Sequence, residues 1–200
     1  YWEIPASDNH GLNGKWKEGP GIPFFEKVFD KINSKIILAE DLGEAYKDAK
    51  KIRDVFKIPG MKILQFSFGN GDPYHEMDQN TVLYTGTHDN STCIGWFDEL
   101  LNDKELNSEK NSINLVDEVI KYIDYKPSDL IHWRMILYAM SSKASYCIIP
   151  LQDILGLDDN SRMNIPGTVG NNWLWRFEKE TLTEAIKEKL KLITKEVNRI

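Results

Sequence analysis

The stretch Ile36-Ile37-Leu38-Ala39-Glu40-Asp41-Leu42-Gly43 constrains this chain more than any other. Four apolar residues run unbroken into two adjacent carboxylates and a glycine. An aliphatic run of this kind reads as a strand buried on both faces, as in a parallel sheet covered by helices. The charged pair then belongs where the strand leaves the core. Successive side chains of an extended chain point to opposite sides, so Glu40 and Asp41 are expected to do different jobs. One faces an open site, and the other turns to backbone, solvent or a basic partner.

The same arrangement returns at Thr81-Val82-Leu83-Tyr84-Thr85-Gly86-Thr87-His88-Asp89-Asn90, an apolar strand core ending in ionisable residues. Two further strands are expected at Met61–Phe68 and Tyr146–Leu151, the second with an awkward proline at position 150. Helices are expected over Phe24–Ile32, Glu44–Phe56, Thr92–Leu101, Val116–Ile123 and from an N-cap at Ser128 to about Ala144. A last amphipathic helix is expected over Lys179–Asn198, with Leu182, Ile186, Leu190, Ile193 and Val197 three or four apart. Residues 1–23 and Gly156–Gly170 are dense in glycine and proline and read as loops, the first with Trp2 and Trp16 as anchors. Gly69-Asn70-Gly71-Asp72-Pro73 reads as a turn-rich loop, and Asn102–Asn114 as a polar, exposed insertion. Helices between strands make an α/β pattern with a parallel sheet, and strands ending in acids suit the carboxyl-terminal mouth of a (β/α) barrel.

Composition narrows the function. A net charge of −6 over 200 residues offers nucleic acid no electrostatic footprint. No run is long and apolar enough for a membrane span, and no basic, apolar leader points to export, so a cytoplasmic protein is expected. Cys93 and Cys147 have no metal or redox spacing and read as reduced core residues. The histidines at 10, 75, 88 and 132 form no ligand pattern, and Asp72, Asp78, Asp153, Asp158 and Asp159 read as solvated loop acids. No metal and no cofactor are expected, and no phosphate loop is present. Six tryptophans and eight tyrosines are a generous supply, suited to a core and also to a cleft that stacks on pyranose faces. From the residues alone, paired strand-end acids fit glycosyl, isomerase or metal-assisted chemistry.

Seven segments in order resemble the amylomaltase (4-α-glucanotransferase, disproportionating enzyme) family: Tyr1-Trp2-Glu3-Ile4-Pro5-Ala6, Asn13-Gly14-Lys15-Trp16, Ile37–Gly43, Pro59–Phe66, Tyr84–Asn90, Arg162-Met163-Asn164 with Pro166-Gly167-Thr168, and Asn172-Trp173 through Trp175-Arg176. The resemblance implies that residues 1–200 are the C-terminal portion of one catalytic (β/α)₈ TIM-type barrel, about strands five to eight, with helical insertions. It implies that Glu40 is the general acid/base and Asp89 the carboxylate that holds the sugar and stabilises the transition state. It also implies that His88, Gln65, Phe66 and Asn164 line the cleft. The family's nucleophile is an aspartate just before the segment matching Tyr1-Trp2, so the nucleophile and the N-terminal half of the barrel are expected to be missing. The implied substrate is an α-1,4-glucan or maltooligosaccharide, moved by a retaining double displacement. Two alternatives stay open: a hydrolase, or, for these residues alone, a non-catalytic half-barrel that binds glucan.

Overall fold

The computed structural model describes residues 1–32, 37–42, 46–69, 77–106 and 110–199. The chain divides into two units, Tyr1–Gly60 and Met61–Ile200.

In the first unit the expected N-terminal loop is partly ordered as a ribbon. Strands β1 (Trp2–Glu3) and β2 (Lys15–Trp16) pair antiparallel, with Trp2 opposite Trp16. Their rings meet edge to face at 5.4 Å, and the Trp2 indole donates to Gly11 O at 2.9 Å. The tryptophans do anchor the segment. A Cβ on Gly14 would lie 2.2 Å from Trp2 Nε1, so only glycine admits that indole. Helix α1 runs Gly21–Phe29 and α2 Tyr46–Phe56. Phe29 meets Phe56 at 4.9 Å and Phe25 meets it at 5.9 Å, which is how α1 and α2 bring their aromatic residues together.

The strand expected from Ile36 is not formed over residues 37–40, and Ile36 and Gly43 lie outside the described residues. Ala39 N donates to Pro59 O at 2.9 Å, a single bond rather than a ladder. Leu38 is 45% exposed, so the aliphatic run is not covered on both faces among the described residues. The two acids do take different surroundings. Glu40 is exposed, whereas Asp41 is 2% exposed and paired with the Arg53 guanidinium. Burial by itself would lower Arg53, but hydrogen bonds and charge from Asp54 and Asp41 outweigh it and push the guanidinium up. A Cβ on Gly60 would press on both partners, 2.5 Å from Arg53 Nη1 and 2.7 Å from Asp41 Oδ2. Removing one member of a buried pair strands the other charge. Arg53→Ala is therefore expected to destabilise the protein by about 3 kcal/mol, read by chemical denaturation, and a loss under about 1 kcal/mol would contradict this role.

The second unit is built on a three-stranded sheet in the order β3 (Gly60–Ile63), β4 (Thr81–Tyr84), β5 (Tyr146–Ile148). β4 and β5 are parallel, with Leu83 opposite Cys147. The crossover between them carries α3 (Cys93–Leu106), α4 (Lys110–Tyr122) and α5 (Ile131–Met140). After β5 come α6 (Leu151–Leu155) and α7 (Glu184–Glu196). Leu64, Leu83, Phe97, Val119, Met135 and Ala139 share one buried cluster, and Trp133, Ile136, Met140 and Ile193 another. Met135 and Ala139 are four apart, as are Ile136 and Met140, so α5 serves both clusters with adjacent stripes.

Four boundaries differ from expectation for identifiable reasons. Met61–Phe68 is a strand only to Ile63; Leu64–Ser67 is a 3₁₀ turn whose Ser67 hydroxyl donates to Ile63 O. The polar segment Asn102–Asn114 is helical at both ends, α3 continuing to Leu106 and α4 beginning at Lys110, because its Glu, Lys and Leu residues are good helix formers. Residues 107–109 lie outside the described residues, as do Asn70–Pro73 with Asp72, His75 and the expected helix start at Glu44. Ser128 does not cap α5, which begins at Ile131. The preceding turn is closed instead by Asp129, whose side chain accepts from Lys126 N at 3.0 Å. Pro150 ends the strand early and stands at the N-cap of α6, where its missing N–H costs nothing. The last helix keeps its Ile186, Leu190, Ile193, Val197 stripe and is capped by Thr183. No helix among the described residues is long and apolar enough to cross a membrane.

Candidate functional site

The site grows from the end of β4. Beyond Tyr84 the chain turns tightly through Thr87–Asn90: the Asn90 side chain accepts from Thr87 N at 2.9 Å and from the Thr87 hydroxyl at 2.7 Å. Gly86 keeps the entry to this turn close-packed: a Cβ there would sit tightly, 3.1 Å from Gln65 Nε2 and 3.3 Å from Ser91 O. His88 and Asp89 occupy the apex, both half-exposed, with His88 Nε2 3.3 Å from Asp89 Oδ1.

A second segment meets the turn. Asn164 Nδ2 donates to Asp89 Oδ1 at 2.6 Å. The Arg162 guanidinium donates to Asp89 O at 2.8 Å and to Ser91 Oγ at 3.1 Å, and Nε reaches Asn164 O at 3.3 Å. One planar, permanently charged group thus fixes the backbone of both segments that carry the Asp89–Asn164 pair. Beneath the turn lies a cavity of about 140 Å³ bordered by His88, Ser91, Gln152, Asp153, Arg162 and Met163.

Two more carboxylates hold the floor. Asp153, 1% exposed, accepts from the Thr85 hydroxyl at 2.6 Å and from Cys93 N at 2.7 Å. Asp159 accepts from Thr92 N at 2.8 Å. Both satisfy amides at the start of α3, which have no partner within the helix and attract negative charge. Neither is the solvated acid expected from the sequence. Burial raises the Asp153 carboxyl above its ordinary value of 3.8, although the bonds from Cys93 and Thr85 oppose this. Burial, with the Asp153 charge beside it, raises the Cys93 thiol as well, so the cysteine stays protonated and inert. The linkage has a definite sign: a carboxyl raised on folding contributes stability that is full below about pH 3.8 and lost as the pH rises through the raised value. Asp153→Asn is expected to remove that loss, so stability falls less between about pH 4 and pH 7 in the variant than in the parent, by chemical denaturation. Equal falls would contradict the assignment.

Of the residues expected to form the site, the structure brings Asp89, His88 and Asn164 together. Gln65 is buried and spends its amide on Ser91 O at 2.8 Å, so it supports the turn rather than facing an open cleft. Phe66 is 59% exposed, not core. Glu40 belongs to the first unit, where it is exposed. Arg162, Asp153 and Trp173 received no role from the sequence. Arg162 and Trp173 were visible only as members of matched segments, and Asp153 only as an acid following a strand. Among the described residues no group of three or more His, Cys, Asp or Glu side chains is placed to hold a metal ion.

The model of the 4-alpha-glucanotransferase family matches residues 1–183. The chain belongs to that family. It is 38% identical over 200 residues to the 4-alpha-glucanotransferase of Synechocystis sp., covering 97% of this chain and 37% of the relative. It is 40% identical over 185 residues to the chloroplastic/amyloplastic 4-alpha-glucanotransferase of Solanum tuberosum, covering 90% and 30%. Among solved structures, the amylomaltase from Streptococcus agalactiae in complex with acarbose superposes with a TM-score of 0.86 at 33% identity, covering 99% of this chain and 39% of that one. The α/β fold of this 4-alpha-glucanotransferase family member is therefore similar to that of an amylomaltase, and the chain spans less than two fifths of the length of these relatives.

Proposed function

We propose that the intact protein is a 4-α-glucanotransferase that moves α-1,4-glucan segments between maltodextrins by a retaining double displacement. The observation that carries this reading is the 2.6 Å bond from Asn164 to Asp89, which joins two family segments 75 residues apart around one carboxylate. With Oδ1 held by Asn164 and close to His88, the Asp89 carboxylate is oriented to accept from vicinal sugar hydroxyls through Oδ2. Its negative charge stabilises the oxocarbenium ion as that ion forms. Glu40, free of the buried ion pair that engages Asp41, is the acid/base: it protonates the departing glycosidic oxygen and then takes the proton of the incoming 4-hydroxyl. The nucleophile, about 5–5.5 Å from the acid/base in a retaining enzyme, comes from the part of the barrel outside residues 1–200. On this reading the sheet β3-β4-β5 supplies later strands of a (β/α)₈ barrel, and residues 1–200 alone are inactive. The amylomaltase solved with acarbose, an oligosaccharide mimic, supports glucan as the ligand. Cys93 and Cys147 are both free thiols, which agrees with a reducing compartment, and we place the enzyme in the cytoplasm.

The test is disproportionation. Maltotriose given to the intact protein yields glucose together with longer glucans; glucose and maltose without longer products would make it a hydrolase.

A further inference from the structure

We infer that Trp173 is a stacking platform for a pyranose ring of the glucan, next to the His88–Asp89–Asn164 group. The inference rests on the glucanotransferase reading and adds a residue that the acid/base and the stabilising carboxylate leave without a role.

The first observation is backbone conformation. Trp173 has φ +66°, in the left-handed region that a bulky residue rarely enters. Gly170 at +87° and Asn171 at +59° precede it in the same hand. Glycine and asparagine tolerate that region, whereas tryptophan does not do so by preference. Such a conformation persists only where neighbouring structure imposes it, and here that structure is present. Trp173 N donates to Met163 O, and Arg176 Nη1 donates to Trp173 O at 3.0 Å. Asn172 Oδ1 accepts from Ile165 N at 3.1 Å, while its Nδ2 reaches Thr168 Oγ1 at 3.1 Å. Residues 163–173 are thereby folded back on themselves, and Trp173 is tied at both its amide and its carbonyl.

The second observation is where this puts the ring. The indole centroid lies 5.0 Å from that of His88 with 44° between the planes. Trp173 nevertheless remains 51% exposed. A half-covered tryptophan keeps a flat apolar face open. This one is held in an unfavourable conformation and left half uncovered, beside a half-exposed imidazole and a half-exposed carboxylate.

The third is chemical fit. A pyranose has apolar C–H faces and a rim of hydroxyls. A flat indole offers the first a matching surface. His88, Asp89 and Asn164 offer the second an imidazole nitrogen, carboxylate oxygens and an amide within one cluster. No charged or flexible side chain supplies the flat face, and an anionic ligand would meet the Asp89 charge. A neutral sugar suits both halves.

The test uses the intact protein and three variants, Trp173→Phe, Trp173→Leu and Trp173→Ala, with acarbose affinity by calorimetry and KM and kcat for maltotriose disproportionation. All three share the backbone strain, so they differ in the ring. Trp173→Phe is expected to stay within about 3-fold of the parent in acarbose Kd, while Trp173→Leu and Trp173→Ala weaken it about 10-fold, the scale of an aromatic contact. Leucine binding as tightly as tryptophan would overturn the stacking role. Should the leucine and alanine variants fail to fold, a second readout decides. In protein labelled with 5-fluorotryptophan, the ¹⁹F resonance missing from Trp173→Phe must shift on adding acarbose; an unmoved resonance at saturation overturns the proposal. A parent protein that neither disproportionates maltotriose nor binds acarbose defeats the glucanotransferase reading itself, whereas a fully active parent with an indifferent Trp173 defeats only this inference.

Discussion

Glu40→Gln in the intact enzyme is expected to lower the rate of maltotriose disproportionation by about 10³-fold, within the range that removal of a general acid/base spans, with KM little changed. The substitution keeps size and shape and removes only the transferable proton. Its neighbour is the acid that holds the segment, since Asp41 is buried against Arg53. A substrate that needs no acid sharpens the test. With α-maltotriosyl fluoride, whose fluoride leaves without protonation, the first step proceeds at near the parental rate in Glu40→Gln. Equal losses with maltotriose and with the fluoride would show that Glu40 is not the proton donor.

Asp89→Asn is expected to cost about 10²–10³-fold in kcat and, unlike Glu40→Gln, to cost as much with the fluoride as with maltotriose. The reason is charge. Asparagine can still meet the Asn164 amide through its own carbonyl, so the turn closed by Asn90 and clamped by Arg162 survives. What disappears is the anion opposite the oxocarbenium ion, which both substrates require. A loss under about 10-fold would mean that Asp89 only shapes the turn.

The part of the site that lies on continuous chain could be read before the structure. An apolar core followed by Thr87-His88-Asp89 placed the ionisable pair just past β4, where it is found. Side-chain alternation separated Glu40 from Asp41 correctly, even though residues 37–40 form no strand: the separation needs only opposite-facing neighbours, whereas a strand needs a ladder that one bond to Pro59 does not make. Arg162 was opaque for another reason. Its partners at Asp89 and Ser91 are more than 70 residues away, and no periodicity in the turn-rich 156–170 segment points at them. Asp153 was misread because a carboxylate after a strand is usually solvated, and only the fold shows Thr85 and the first amide of α3 converging on it. Trp173 needed its backbone angle, which composition cannot supply.

The most direct test of the central claim is product analysis of maltotriose with the intact enzyme in H₂¹⁸O. A glucanotransferase releases glucose that carries no more label than a control without enzyme and builds glucans longer than maltotriose, because the glycosyl unit goes to a sugar hydroxyl. Labelled maltose or glucose in amounts matching the bonds broken, with no longer glucans, would show that water is the acceptor and that the site formed around Asp89 serves hydrolysis.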